Sequence, residues 1–179
     1  MYSGMNANPN NFWQYSVAFY REPGIAEACL KLQSQHGFDV NLVLFCIWYG
    51  LHRGLLPAPL LQQALDFSQN WNALGVHPLR DARTMLKRGT HLQSLSSAAD
   101  INALRESIKG LELKAEQIQQ QELQHLAAAH PDHNAQGNPQ VDMMQENLKN
   151  LCELSGCEWQ RVEPQLQLIL ESVGKALAE

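Results

Sequence analysis

The feature that most constrains the fold is an apolar run of ten residues, LVLFCIWYGL, which covers Leu42–Leu51. A membrane-spanning helix needs roughly 20 apolar residues, so this run is too short to cross a bilayer. Asp39 and Asn41 precede it, and His52 and Arg53 follow it. Since a helix that is apolar on every side is surrounded by other helices, we expect a buried core helix that is capped by Asp39.

Helical periodicity recurs along the rest of the chain, with apolar residues at spacings of three and four. We expect Asn10 or Asn11 to cap the first helix, Gly37 to end the second, and Gly75 to separate two further helices. No segment alternates in the way of a strand. The prediction is an all-α fold, a compact multi-helix bundle with a long helix at 97–129 and a C-terminal helical pair at about 140–154 and 162–178.

Composition predicts the organisation of the chain. Residues 1–10 are expected to form a disordered N-terminus and 11–129 a helical domain, while HPDHNAQGNP at 130–139 has the turn-forming composition of a linker. The net charge is +2 for residues 1–99 and −7 for 100–179. The remaining segment, 140–179, is therefore predicted to be an acidic C-terminal helical element. It is expected to be solvated, to fold back on the basic half, or to bind a partner.

The long helix carries a heptad-like apolar seam with alternating spacings of four and three. Its members are Leu104, Ile108, Leu111, Ala115 and Ile118. Such a seam permits oligomerisation or an antiparallel hairpin. The alternative is a long helix that packs on its own domain.

A basic helical face is the main candidate for a surface function. Arg80, Arg83 and Lys87 fall at i, i+3 and i+7, and Arg88 is adjacent. We expect these cations to bind a protein partner. The alternatives are a solvated face, internal pairing with the acidic half, or weak nucleic-acid binding through phosphate neutralisation. The footprint is small and contains no aromatic residues between the cations, which argues against nucleic acid.

A second candidate site is a polar cleft near the ends of the apolar helix, which would favour an enzyme or a small-ligand binder. Its predicted residues are Gln33, His36, Asp39, Asn41 and His52. The alternative interpretation is structural. Asp39 would act as a helix cap, and buried Gln33 or Asn41 would fix the arrangement of the helices through hydrogen bonds.

Catalytic and metal-binding motifs are missing from the sequence. His130 and His133 lack the further ligands and rigid surroundings of a metal site, and Cys152 and Cys157 lack the spacing of a zinc or redox motif. We predict no catalytic residue, metal or cofactor. The N-terminal residues do not resemble a targeting segment, so we expect reduced cysteines in a cytoplasmic protein with no membrane association.

The sequence resembles one known family. FWQYSVAFY at Phe12–Tyr20, followed by PGIAEACLKLQSQHGFDVNLVLFCIWYG at Pro23–Gly50, is similar to a family of small, uncharacterised proteobacterial helical proteins. The resemblance implies a bacterial cytosolic helical protein and implies no activity. From the residues, the function expected is that of a non-enzymatic interaction or regulatory protein.

Overall fold

The computed structural model describes residues 11–89, 94–130 and 141–178, and no β-strand occurs in these ranges. The all-α prediction is confirmed, including the long helix and the C-terminal pair. The segment predicted to be disordered and residues 131–139 of the predicted linker lie outside the described residues. The α-helices in these ranges are α1 (Phe12–Phe19), α2 (Ile25–His36), α3 (Val40–Arg53), α4 (Ala58–Trp71), α5 (His77–Arg88), α6 (Ala98–Ala129), α7 (Val141–Leu154) and α8 (Trp159–Ala178).

The ends of the first three helices have the predicted local chemistry. The side-chain Oδ1 of Asn11 accepts a hydrogen bond from the backbone N–H of Gln14 at 3.0 Å, which caps α1. Asp39 caps α3 by accepting from the N–H of Asn41 at 2.9 Å. Gly37 follows α2 with a φ of 70°, a left-handed conformation that favours glycine. These predictions are confirmed.

The predicted helix end at Gly75 is wrong. Helical structure continues from Ala58 to Arg88, because a π-helical turn at Asn72–Val76 joins α4 to α5. Within an α-helix Pro78 would leave the carbonyl of Leu74 without a donor and would crowd it. The wider turn immediately before this proline gives the chain room to continue as a helix.

The chain forms two compact units. The first contains Met1–Leu65 and Gln120–Glu179, and the second contains Asp66–Gln119. The division falls within α4 and within α6. The first unit thus includes α1 to α3 together with α7 and α8, so the C-terminal pair belongs to the same unit as the apolar helix.

The core of the first unit is built around α3. Every residue from 41 to 50 is buried, which confirms the prediction of a core helix. α7 packs along α3, and α8 packs on α2 and α7. The aromatic ring of Phe12 lies 5.3 Å from that of Trp48 and 5.8 Å from that of Phe45, measured between centroids. Each fully buried large side chain contributes roughly 1.5–3 kcal/mol.

Gly50 allows the close approach of α7 to α3. A Cβ atom at this position would lie 2.7 Å from Cγ and 2.9 Å from Cα of Met144. Carbon atoms make favourable contacts only at about 3.5–4.0 Å, so a larger residue would push the two helices apart. The glycine at the end of the apolar run is therefore part of the packing of the core.

Candidate interaction surface

Two of the predicted partner-binding cations form an ion-pair cluster within the second unit. Arg80 contacts Oε1 of Glu112 through Nε and Oε1 of Glu116 through Nη2, each at 2.8 Å. Arg83 Nε lies 2.6 Å from Oε2 of Glu112. Both carboxylate oxygens of Glu112 thus accept hydrogen bonds from arginines of α5. We call these four residues the Glu112 cluster. Its two arginines are thus paired with glutamates of the acidic half of the chain, which was one of the alternatives for the basic face.

Glu112 is the most enclosed member of the cluster, with a side chain that is 9% exposed, whereas the two arginines are about a quarter exposed. Burial acts to raise the pKa of this carboxyl group. Hydrogen bonds from Arg83 and Arg80, together with their positive charges, outweigh the burial, and the pKa of Glu112 falls below its ordinary value. The cluster therefore favours a charged carboxylate at neutral pH.

The other two predicted cations, Lys87 and Arg88, occupy the C-terminal end of α5 and are exposed. They lie in the last turn of the helix, where positive charge interacts favourably with the exposed carbonyl groups. Of the four predicted cations, Arg80 and Arg83 are thus paired with glutamates, whereas Lys87 and Arg88 are exposed to solvent.

An unpaired apolar stripe runs along α5, a helix that buries none of its side chains. Leu74 in the π turn is 82% exposed and Met85 is 73% exposed. Pro78 and Ala82 are also exposed. Positions 78, 82 and 85 lie at i, i+4 and i+7 and share one helical face. Leu74, Pro78, Ala82 and Met85 together are named the α5 stripe.

The part of α6 in the second unit also leaves apolar side chains exposed. Leu104 is 52% exposed and Leu111 57% exposed, although both belong to the predicted seam. Ala115 is buried, and its carbonyl accepts a hydrogen bond from Nε1 of Trp71 at 2.9 Å. Within the described part of the second unit, Val76 is the other buried apolar residue. This unit therefore has a very small apolar core. The role of the seam in oligomerisation remains a prediction.

The predicted cleft residues are divided between the two ends of α3. Asp39 and Asn41 lie at its start, whereas His52 lies more than three turns later, which corresponds to about 20 Å along the axis. Asn41 is buried and accepts a hydrogen bond from Nε2 of Gln120 at 2.7 Å. The remaining two predicted residues, Gln33 and His36, lie in the last turn of α2. Asp39 and Asn41 thus have structural roles, and His52 cannot join them in one site.

His52 lies among aromatic side chains at the far end of α3. Its ring centroid is 6.0 Å from that of Tyr15 and 5.8 Å from that of Trp48. Burial, and then the positive charge of Arg53, lower the pKa of His52. Arg53 itself donates from Nη1 to the backbone carbonyl of Ala127 at 3.0 Å. These contacts attach the end of α3 to its surroundings in the first unit.

Asn147 is a buried polar residue whose role was not predicted from the sequence. Its Nδ2 donates to the carbonyl groups of Cys46 at 3.2 Å and Gly54 at 3.1 Å, and its Oδ1 accepts from the N–H of Leu56 at 2.7 Å. It thereby connects α7 to the end of α3 and to the chain that follows. The available signal is a single asparagine next to Leu148 on an otherwise apolar helix face.

The cysteines are free thiols, and three of them are buried. Burial raises the pKa of Cys29 and of Cys152 to about 12, and it also raises that of Cys46. Since the thiolate is the reactive form, these three are poor nucleophiles at neutral pH. In the part of the chain that the structure describes, no group of three or more His, Cys, Asp or Glu side chains is placed to hold a metal ion. His133, one of the two histidines considered above, lies outside that part.

Across the described ranges, no helix combines the length and apolar character needed to cross a membrane.

The fold and this surface define an all-α protein with a solid core in one unit and exposed apolar and cationic residues in the other. The chain belongs to a family described as a protein of unknown function, DUF2390, whose model matches residues 11–123. The resemblance to an uncharacterised family is thereby confirmed. No curated protein and no solved structure matches the chain. The family match covers α1 to α5 and most of α6, while α7 and α8 lie beyond it.

Proposed function

We propose that this chain is a non-enzymatic interaction protein that binds a protein partner through its second unit. The supporting observation is that apolar side chains are exposed there in excess of those that are buried. Of the twelve large apolar residues that are exposed in the described chain, six lie in the second unit: Leu74, Met85, Leu95, Leu104, Leu111 and Leu113. Among the residues of this unit that the structure describes, the buried apolar ones are Val76 and Ala115. Exposed apolar surface bordered by charge is typical of protein interaction sites.

The proposed partner is an amphipathic helix of another protein. Its apolar face would pack on the α5 stripe, in the manner of helices that bind through residues at i, i+4 and i+7. Arg88 is exposed three residues after Met85 and on the same side of the helix, so a carboxylate near one end of the partner helix would complement it. Charge of this kind contributes to specificity and to the rate of association.

The two alternative functions have less support. Among the residues of the predicted cleft, Asp39 caps a helix, Asn41 joins two helices and His52 packs among aromatic rings at the other end of α3. Nucleic-acid binding would need several cations to neutralise phosphates, and Arg80 and Arg83 are already paired with glutamates. Buried free thiols are in keeping with a reducing compartment, and we propose a cytoplasmic location.

The test is comparative affinity isolation from the native cell. The variant Met85→Glu with Arg88→Gln places negative charge on the α5 stripe and removes the cation three residues further along the same side of the helix. Both positions are exposed, so we expect little change in thermal unfolding, since surface substitutions usually alter stability by less than about 0.5 kcal/mol. The expected result is the loss of one specific protein that the wild-type chain retains.

Leu30→Glu is the matched control, because Leu30 is an exposed leucine, 57% accessible, in the first unit. It should retain the same protein as the wild-type chain. A photo-crosslinker at position 82 should then join the chain to an acidic amphipathic segment of that protein. Equal recovery by the wild-type, control and double-variant chains would contradict the proposed surface, and recovery of nucleic acid instead would favour the basic-face alternative.

A further inference from the structure

The attachment of α5 to α6 depends on charge to an unusual degree. α5 buries none of its side chains, and its inward leucines, Leu79 and Leu86, are only partly covered. The described side-chain hydrogen bonds between the two helices are those of the Glu112 cluster, at 2.6–3.3 Å. Apolar burial, which holds α3 in place, makes little contribution to this contact.

Contacts of this kind respond to the solution around them. Arg80 and Arg83 are 25% and 26% exposed, so ions and water reach their guanidinium groups. Interactions between partly exposed charges are screened by salt over a distance of about 10 Å at an ionic strength of 0.1 M. An apolar contact has no such dependence. The α5 contact is thus the part of the described structure that ionic strength or a competing anion should weaken first.

The π turn supplies a place for movement. Immediately after it, Pro78 has no N–H and cannot donate the α-helical hydrogen bond to the carbonyl of Leu74. The junction of α4 and α5 is bonded instead in the π pattern, with the N–H of His77 donating to the carbonyl of Asn72. Gly75, inside the turn, contributes no side chain to packing, and its Cβ position is 3.7 Å from the ring of Trp71. The α-helical hydrogen-bond pattern is therefore interrupted just before the segment that carries the arginines.

We propose that the Glu112 cluster is a releasable electrostatic contact, which holds α5 against α6 and opens at the π turn when salt or a competing carboxylate occupies Arg80 and Arg83. Release adds two cations to the exposed pair at the end of α5. The carboxylates of Glu112 and Glu116 act as internal competitors for an acidic partner. This last consequence rests on the proposed function, whereas the release itself does not.

Hydrogen exchange measured by mass spectrometry on the full chain tests the release without any partner. Glu112→Gln removes the shared carboxylate charge, and exchange of the α5 amides at 79–88 should rise about tenfold, while that of α2 and α3 should stay unchanged. Raising the salt concentration to about 0.5 M should have the same effect on the wild-type chain and little further effect on the variant.

Glu122→Gln is the control, because Glu122 is a half-exposed glutamate of the same helix whose described ion pair is with His125 at 3.5 Å. It should leave α5 exchange at the wild-type level. Unchanged α5 exchange in Glu112→Gln would overturn the proposal. If that variant loosens the whole chain, the salt series on the wild-type chain decides. A rise confined to α5 supports a releasable contact, and a uniform response or no response overturns it.

Discussion

At the scale of single residues, the asparagine that connects α7 to the end of α3 has more influence than its sequence context indicates. Asn147 is fully buried and makes three hydrogen bonds to backbone groups that are more than ninety residues away in sequence. A buried backbone group that loses its partner costs about 1–3 kcal/mol. One amide side chain therefore provides hydrogen-bond partners for three backbone groups in α3 and just beyond its end.

We predict that Asn147→Ala destabilises the first unit by about 2–4 kcal/mol, because the N–H of Leu56 and the carbonyl of Gly54 lose this partner. The carbonyl of Cys46, inside α3, loses its second donor. Urea unfolding followed by tryptophan fluorescence, to which the buried Trp48 contributes, measures the change. Asn150→Ala, on the same helix at a half-covered position, is the control and should cost less than about 1 kcal/mol. A cost for Asn147→Ala no larger than that of the control would show that these hydrogen bonds contribute little.

At the scale of helices, apolar runs and capping residues predicted most of the helices and several of their ends. They did not predict the π turn or the contacts between residues that are far apart in sequence. The apolar run predicted α3, and Asp39 and Gly37 predicted its start and the end of α2. Gly75 and Pro78 resemble a helix break, because the sequence gives no sign of a wider turn that accommodates a proline. The pairing of Arg83 with Glu112 joins residues 29 positions apart, and their side chains meet only once the two helices are placed.

The Glu112 cluster predicts how the contact between α5 and α6 depends on pH. The groups that face Glu112 are Arg80 and Arg83 from α5, with Glu116 beside them on α6. Because the pKa of Glu112 is lower when folded, the stability it contributes is present above its ordinary pKa of 4.5 and is lost as the pH falls through the folded value.

We therefore expect Glu112→Gln to destabilise the α5 contact by on the order of 1–2 kcal/mol near neutral pH. This difference from the wild-type chain should shrink as the pH falls below the ordinary pKa of 4.5, since the wild-type carboxylate becomes protonated there. Exchange rates of the α5 amides in both chains, corrected for the intrinsic effect of pH, give the comparison. A difference that stays constant over this range would contradict an electrostatic origin.

At the scale of the whole molecule, the family model matches the second structural unit completely but only part of the first. The match ends at residue 123, yet α7 packs along α3 and α8 packs on α2. Met144, Leu148 and Leu151 of α7 are buried, as are Leu166, Ile169 and Val173 of α8. The two C-terminal helices thus complete a core whose centre lies inside the matched segment.

A chain that ends at His130 should consequently fail to form the first unit. It would lack α7 and α8, and it would leave the side of α3 around Cys46 and Gly50 without its covering helix. At roughly 1.5–3 kcal/mol for each fully buried large apolar side chain, the six named side chains of α7 and α8 contribute an amount comparable to the stability of about 5–15 kcal/mol that is typical of a domain. We expect the truncated chain to show no cooperative thermal transition and to aggregate.

A control chain that is cleaved between residues 131 and 140, with both pieces kept in the sample, shows whether α7 and α8 must be covalently linked to the rest. This form should unfold cooperatively, because the two helices pack through buried side chains and need no peptide link to do so. Circular dichroism during heating and size-exclusion chromatography compare the intact, cut and truncated chains. A truncated chain that unfolds as cooperatively as the intact one would show that residues 11–130 are self-sufficient, and that α7 and α8 are additions to a core that is already complete.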